Sequence, residues 1–176
     1  MKLTYPPQEI DVEKRNDGTL ILSSPIKLGQ PEINIHSKFK KTCDEFPNNI
    51  WLAEKLDNSW REINYKTAYE YINSISQYLV NIKLNQNKGI MILSGNSIDH
   101  GLLNVAGLCC GVPVSPISVA YSLMSSDYAK LKHCFELVSP GLIYVEDGIM
   151  FEKALENLPI DNITVVCSRN PSTKYK

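Results

Sequence analysis

Apolar positions along this chain change their period in a regular way. Ala68, Tyr69, Ile72, Ile75, Leu79 and Ile82 recur at three- and four-residue steps, the stripe of an amphipathic helix. Asn64, just before that stripe, suits its N-cap. "GIMILS" follows at Gly89–Ser94, an unbroken apolar run that predicts a buried strand. The same alternation continues to Ser168. A helix is predicted from about Ser97 to Cys110 with Gly111 as its cap, then a buried strand in "VPVSPIS". Ser125 or Ser126 caps a further helix to about Leu137. "GLIYVED" reads as a strand, "MFEKALENL" as a helix and "NITVVCS" as a last strand. Strands alternating with helices predict a parallel sheet with right-handed crossovers.

Upstream, a helix is expected from about Ile35 to Phe46, closed by Pro47. "IWLAEKLDNSWREI" reads as a hairpin, Ile50–Lys55 and Ser59–Ile63, turning at Leu56-Asp57-Asn58. Residues 1–30 form an extension in which Asp17-Gly18 signals a turn before "TLILSS". The fold class is therefore α/β: a parallel, helix-covered sheet with a small β-hairpin and an N-terminal extension. The expected organisation is an extension over 1–30, an incomplete α/β domain over 31–168 and a polar, unstructured tail over 169–176.

Composition adds few functions and removes several. The length of 176 residues, 43% hydrophobic and 21% charged, suits one domain with a real core. A net charge of -1 gives no attraction to nucleic acid. Lys38, Lys40 and Lys41 lie near Asp44 and Glu45, as a solvated helix face would. The N-terminus shows no apolar signal segment. Gly101–Met124 is free of charge over the length of a membrane span, but Pro113 and Pro116 would break such a helix. Cys43, Cys109, Cys110, Cys134 and Cys167 show no C-x-x-C spacing and are expected as small, buried, inert thiols in the cytoplasm.

Candidate chemistry concentrates at "LSGNSIDHG", where a strand turns through glycine into a helix. A phosphate loop needs G-x-x-x-x-G-K-[ST], and a dinucleotide turn needs G-x-G-x-x-G. Ser97 and His100 break both spacings. Asp99, in the first helical turn, would repel an anion, so the turn is expected to be a corner. His36, His100 and His133 fall in no metal-ligand spacing. Ser94 and Ser97 lack the G-x-S-x-G context of a nucleophile, and Glu146-Asp147 reads as a surface pair at a strand end. Tyr69 belongs to the core stripe of its helix, with Tyr65, Tyr71 and Tyr78 on the flank.

Two stretches carry a resemblance. "WREINYKTAYEYINSISQYL" (Trp60–Leu79) and "MILSGNSIDHGLLNVAGLCCGVPVSPIS" (Met91–Ser118) resemble core motifs of the adenylate-forming superfamily, the AMP-forming acyl- and aryl-CoA synthetases. "AYSLMSSDYAKLKHCFELVSPGLIYVED" and "DGTLILSSPIKLG" are similar to the feruloyl-CoA synthetase-like branch. The resemblance covers roughly Asp17 to Cys167 and implies the N-terminal portion of an acid–thiol ligase. Such an enzyme uses ATP and Mg²⁺ to make an acyl-adenylate from a carboxylic acid such as ferulate, then transfers the acyl group to CoA. The family's Ser/Thr-Gly-rich loop, its aromatic-Gly-x-Thr-Glu segment, its ribose-binding aspartate and its C-terminal lysine match no position here. No catalytic, cofactor-binding or metal residue is therefore carried over; each would lie after Lys176. The chain alone is expected to be inactive, to bind no cofactor and to need the remainder of the large domain and the C-terminal domain. The rival is a free-standing flavodoxin-like binding or regulatory module.

Overall fold

The computed structural model describes residues 9–175 and divides into two compact units, Met1–Ile33 and Asn34–Lys176. In the first, β1 (Asp11–Lys14) and β2 (Leu20–Ser23) pair antiparallel, with Val12 opposite Leu22. Gly18, at φ +88°, and the Asp17 carboxylate, accepting the Thr19 N–H at 2.9 Å, make the turn. The turn and β2 match the expectation; β1 is additional. Residues 1–8, where part of the signal-segment reading falls, lie outside the described residues.

The second unit begins with α1 (Ile35–Glu45), capped by the Asn34 side chain, and ends its first helix before Pro47. β3 (Ile50–Leu56) and β4 (Ser59–Asn64) form the hairpin. Its loop tightens to Asp57-Asn58, with Asp57 at φ +49°. Asn64 caps α2 (Tyr65–Asn81) by accepting the Thr67 N–H at 2.8 Å. β5 (Ile90–Leu93) leads into α3 (Ile98–Cys110), which is capped by Ser97 and closed by Gly111 at φ +71°. β6 (Val114–Pro116), α4 (Ala120–Leu123), α5 (Ala129–Val138), β7 (Leu142–Asp147), α6 (Glu152–Leu155) and β8 (Thr164–Arg169) complete the unit.

The four strands β6-β5-β7-β8 form one parallel sheet. Alternation sorts its side chains. Ile90, Ile92, Leu142 and Tyr144 pack with α2 and α3, through Ala68, Ile72, Leu79, Leu102 and Ala106. Met91, Leu93, Ile143 and Val145 turn to the opposite face, where Leu131 and Phe135 of α5 and Ala154 and Leu155 of α6 cover them. Each such fully buried aliphatic side chain contributes about 1.5–3 kcal/mol. The uncharged run over 101–124 is thus a helix, a strand and a helical turn. No helix among the described residues is long and apolar enough to cross a membrane.

The structure departs from the sequence reading at several further places. β6 is three residues long and only half-buried, because Pro116 restricts it to the edge of the sheet. α4 was not expected. α5 starts at Ala129 rather than after Ser125 or Ser126: Ser125 Oγ accepts the Tyr128 N–H at 3.0 Å in a turn, and Tyr128 sits at φ +55°, outside helical space. α6 is four residues, stopped where the Asn157 side chain donates to the Lys153 carbonyl and Pro159 follows. Cys43 alone is fully buried; Cys109, Cys110, Cys134 and Cys167 are half-buried because their helix and sheet faces are only partly covered.

A further departure is the tail, which folds back instead of hanging free. Arg169 already belongs to β8, and Ser172 is buried, donating to Glu152 at 2.6 Å. Lys174 pairs with Glu152 and Glu156. Asp147, read as a surface carboxylate, is buried at the centre of this closure. It accepts N–H groups from Ile149 (3.1 Å) and Met150 (2.9 Å) and the Asn170 amide at 2.7 Å. The Met150 N–H leads in holding its carboxyl below the usual range, against the opposing effect of burial; Asn170 and Ile149 add to it.

Gly101 and Gly107 of α3 are points of close approach. A Cβ at Gly107 would stand 2.3 Å from Val114 Cγ2 and 2.9 Å from the Val112 carbonyl oxygen. We expect Gly107→Ala to lose about 1–3 kcal/mol to overpacking, more than the roughly 1 kcal/mol that alanine gains in a helix. The denaturation midpoint should fall, while Gly29→Ala, in open space, should leave it unchanged. Asp147→Ala strands three donors and should cost on the order of 1–3 kcal/mol. Because the native Asp147 carboxyl titrates below the unfolded value of about 3.9, its contribution is complete above that pH. It disappears as pH falls through the native value. Acid titration of stability should therefore be shallower in Asp147→Ala; identical slopes would refute the assignment.

Candidate functional site

In the order β6-β5-β7-β8 the chain runs outward in one direction from β5 to β6 and in the other from β7 to β8. The switch point lies between the carboxyl ends of β5 and β7, where open α/β sheets place ligands. A polar cleft of about 660 Å³ opens at this edge. It lies between the β3–β4 hairpin, the Asn96–Asp99 turn and the ends of β7 and β8.

At its back, Ser94 follows β5 buried, with its hydroxyl donating to the Gly95 carbonyl at 2.6 Å. His100 Nδ1 lies 3.0 Å from the same oxygen. Ser97 Oγ accepts the His100 N–H at 3.1 Å as the helix cap. Two further carboxylates close the turn. Glu146 Oε2 accepts the Gly95 N–H at 3.1 Å across the switch point, and its other oxygen pairs with Arg169. Glu54 Oε2, reaching from β3, accepts the Ile98 N–H at 2.7 Å. Side-chain acceptors therefore hold the N–H groups of Gly95, Ile98 and His100, donors that a phosphate would use.

Arg61 of β4 ties this edge together. Its guanidinium donates to Glu54 Oε1 at 2.9 Å and to both Asp99 oxygens, at 2.8 and 3.3 Å. The bond to Asp99 leads in raising the affinity of Arg61 for its proton, and burial opposes it. Burial would also raise the Asp99 carboxyl, but the Arg61 hydrogen bond and charge outweigh it and hold the group below the usual range. Beside the cleft, Tyr144 OH lies 2.7 Å from Ser168 Oγ, and burial pushes its phenol up.

This chemistry does not fit a bound nucleotide or Mg²⁺ at these residues. Glu54, Asp99 and Glu146 would repel triphosphate, and they already neutralise Arg61 and Arg169. Among the described residues no group of three or more His, Cys, Asp or Glu side chains could hold a metal ion.

The remaining candidates are dispersed, with one exception. His36 on α1 and Cys109 on α3 meet at 3.1 Å, Nδ1 to Sγ, although 73 positions separate them. Burial pushes the Cys109, Cys110 and Cys43 thiols up, which keeps them protonated and poor nucleophiles. Lys40 pairs with Asp44 at 2.5 Å on an exposed helix face that also carries Lys38 and Lys41. Glu54 and Arg61, central to the cleft, were not singled out in the sequence. They are neighbours across the hairpin, opposite each other in its register. No local motif announces that the hairpin's charges reach the N-terminus of α3.

No family model matches the chain. It is 26% identical over 126 residues to a long-chain-fatty-acid–CoA ligase of Xenopus laevis, covering 72% of this chain and 16% of that protein. The chain thus spans about a sixth of that relative's length. Its fold matches an acyl-CoA synthetase of Brucella canis, with a TM-score of 0.62 and 14% identity, over 82% of this chain and 26% of the other. It also matches a fatty acyl-adenylate ligase of Legionella pneumophila, solved with acyl adenylate and pyrophosphate. There the TM-score is 0.60 with 10% identity, over 77% of this chain and 23% of the other. The chain is thus similar in sequence to part of a fatty-acid–CoA ligase, and it shares its fold with part of an acyl-CoA synthetase and part of a fatty acyl-adenylate ligase.

Proposed function

We propose that residues 31–168 form a supporting layer of the large domain of an AMP-forming acid–thiol ligase. The observation that carries this reading is the 126-residue similarity to a fatty-acid–CoA ligase. In the whole enzyme, ATP would activate a carboxylic acid to its acyl-adenylate, with Mg²⁺ offsetting phosphate charge, and the CoA thiol would then take the acyl group. An aromatic acid such as ferulate is the proposed substrate, on the resemblance of Ala120–Asp147 to that branch, and the cytoplasm is the proposed compartment. The part played by this layer is structural. The Glu54–Arg61–Asp99 and Glu146–Arg169 pairs close the edge of the sheet, so the layer offers a rigid wall rather than a reacting group.

A flavodoxin-like module would need a ligand-accepting turn at the switch point. Glu146 and Glu54 fill that position, and the similarities lie with ligases.

The purified 176-residue chain is expected to show no ATP–pyrophosphate exchange above background with ferulate or with a long-chain fatty acid. Exchange stimulated by either acid would overturn the assignment of a purely supporting role.

A further inference from the structure

The chain after β8 crosses the β7–α6 turn as a strap, and one glycine makes room for it. Asn170, at φ +46°, turns the chain back from the end of β8. The strap then passes directly over Gly148. A Cβ there would stand 2.7 Å from the Asn170 carbonyl oxygen and 2.8 Å from the Ser172 nitrogen. Below the crossing, the Gly148 N–H donates to the Arg169 carbonyl at 2.9 Å, and the Asn170 amide donates to Asp147. Ser172 donates to Glu152 and accepts the Lys174 N–H at 3.2 Å. Lys174 Nζ lies 3.5 Å from Glu152 Oε2 and also pairs with Glu156. Tyr175 packs on the cluster that contains Leu158 and Ile160. The ion pairs are exposed and individually weak. A segment held this way opens locally, at far less cost than the sheet beneath it.

The same strap reaches the polar cleft. Arg169, the last residue of β8, stands opposite Asp147 in the ladder, and its side chain pairs with Glu146. Glu146 in turn accepts the Gly95 N–H across the switch point. Arg169 thus has its carbonyl under the strap and its guanidinium in the cleft. We propose that residues 170–175 are a latch on the carboxyl edge of the sheet. Closed, the strap holds Arg169 on Glu146; open, it frees the end of β8 and, with it, the hold of Glu146 on the Gly95 N–H. The Arg169 side chain is 52% exposed, so water competes for it, and its pairing lasts only while its backbone is fixed. Without Arg169, Glu146 is left in a cleft with Glu54 and Asp99, which already share Arg61. Like charge then drives Glu146 out to water. The opening is one event because its anchors are shared. Asp147 holds both its own turn and Asn170, and Glu152 holds both Ser172 and Lys174. This latch goes beyond the ligase reading and does not rest on it.

The test follows two rates in the 176-residue chain: tryptic cleavage after Arg169, and exchange of single amide protons by NMR. Gly148 lies outside left-handed space, so Gly148→Ala changes only the room under the strap. Cleavage after Arg169 and exchange of the Gly95 N–H should both rise about tenfold in that variant, while the amides of Ile90–Leu93 keep their rates. Lys174→Glu sets a third carboxylate beside Glu152 and Glu156 on an exposed side chain. It should raise the same two rates roughly threefold, and it carries the test if Gly148→Ala does not fold. Lys66→Glu, the same change of charge at an exposed position on α2, should leave both rates as they were. Unchanged cleavage in the strap variants would overturn the proposal. So would faster cleavage with Gly95 exchange unaltered, or a rise that extends equally to Ile90–Leu93. None of these readouts uses ATP or an acid substrate, so the ligase reading can fail without moving them.

Discussion

Ile90–Leu93 has no exposed face, and that constraint organises the rest of the second unit. A central parallel strand needs cover above and below, because neither of its faces can be left to water. α2 and α3 cover the side of Ile90 and Ile92, while α5 and α6 cover the side of Met91 and Leu93. Gly107 of α3 follows from the same demand. Only a missing side chain lets that helix approach Val112 and Val114 and seal the first face.

The carboxyl edge of that sheet is where a parallel fold ordinarily offers backbone N–H groups to an anion. Here the protein supplies the anions itself. Glu54 and Glu146 take two of those donors, and Arg61 and Arg169 balance the charge. Partly buried carboxylates that accept backbone N–H groups and face a guanidinium lose little by leaving water. The result is an edge closed by paired charges. Asp147 does the same one loop away, joining the end of β7 to the returning tail.

Much of this was legible in the order of residues. The stripe on α2, the caps at Asn64, Ser97 and Gly111, and the apolar runs of β5 and β7 are local signals with local physical causes, and they define an α/β chain. Errors gathered where local signals competed. Ser125 and Ser126 looked like caps, yet the backbone at Tyr128 takes left-handed space and delays the helix. "RNPSTKYK" looked like solvent-exposed chain because polarity is a poor guide where Ser172 and Lys174 find partners on α6.

What the sequence determined by itself was the kind and order of the elements, because hydrophobic period and capping act within a few residues. What only the tertiary structure decided was which distant groups share a surface. Glu54 reaches the start of α3, Glu146 reaches Gly95, and His36 reaches Cys109. It also decided that β6 and β8 lie at the edges of the sheet. Such pairings depend on crossover direction and on how the layers pack, and no spacing along the chain encodes a contact between residues that meet only after the layers have closed.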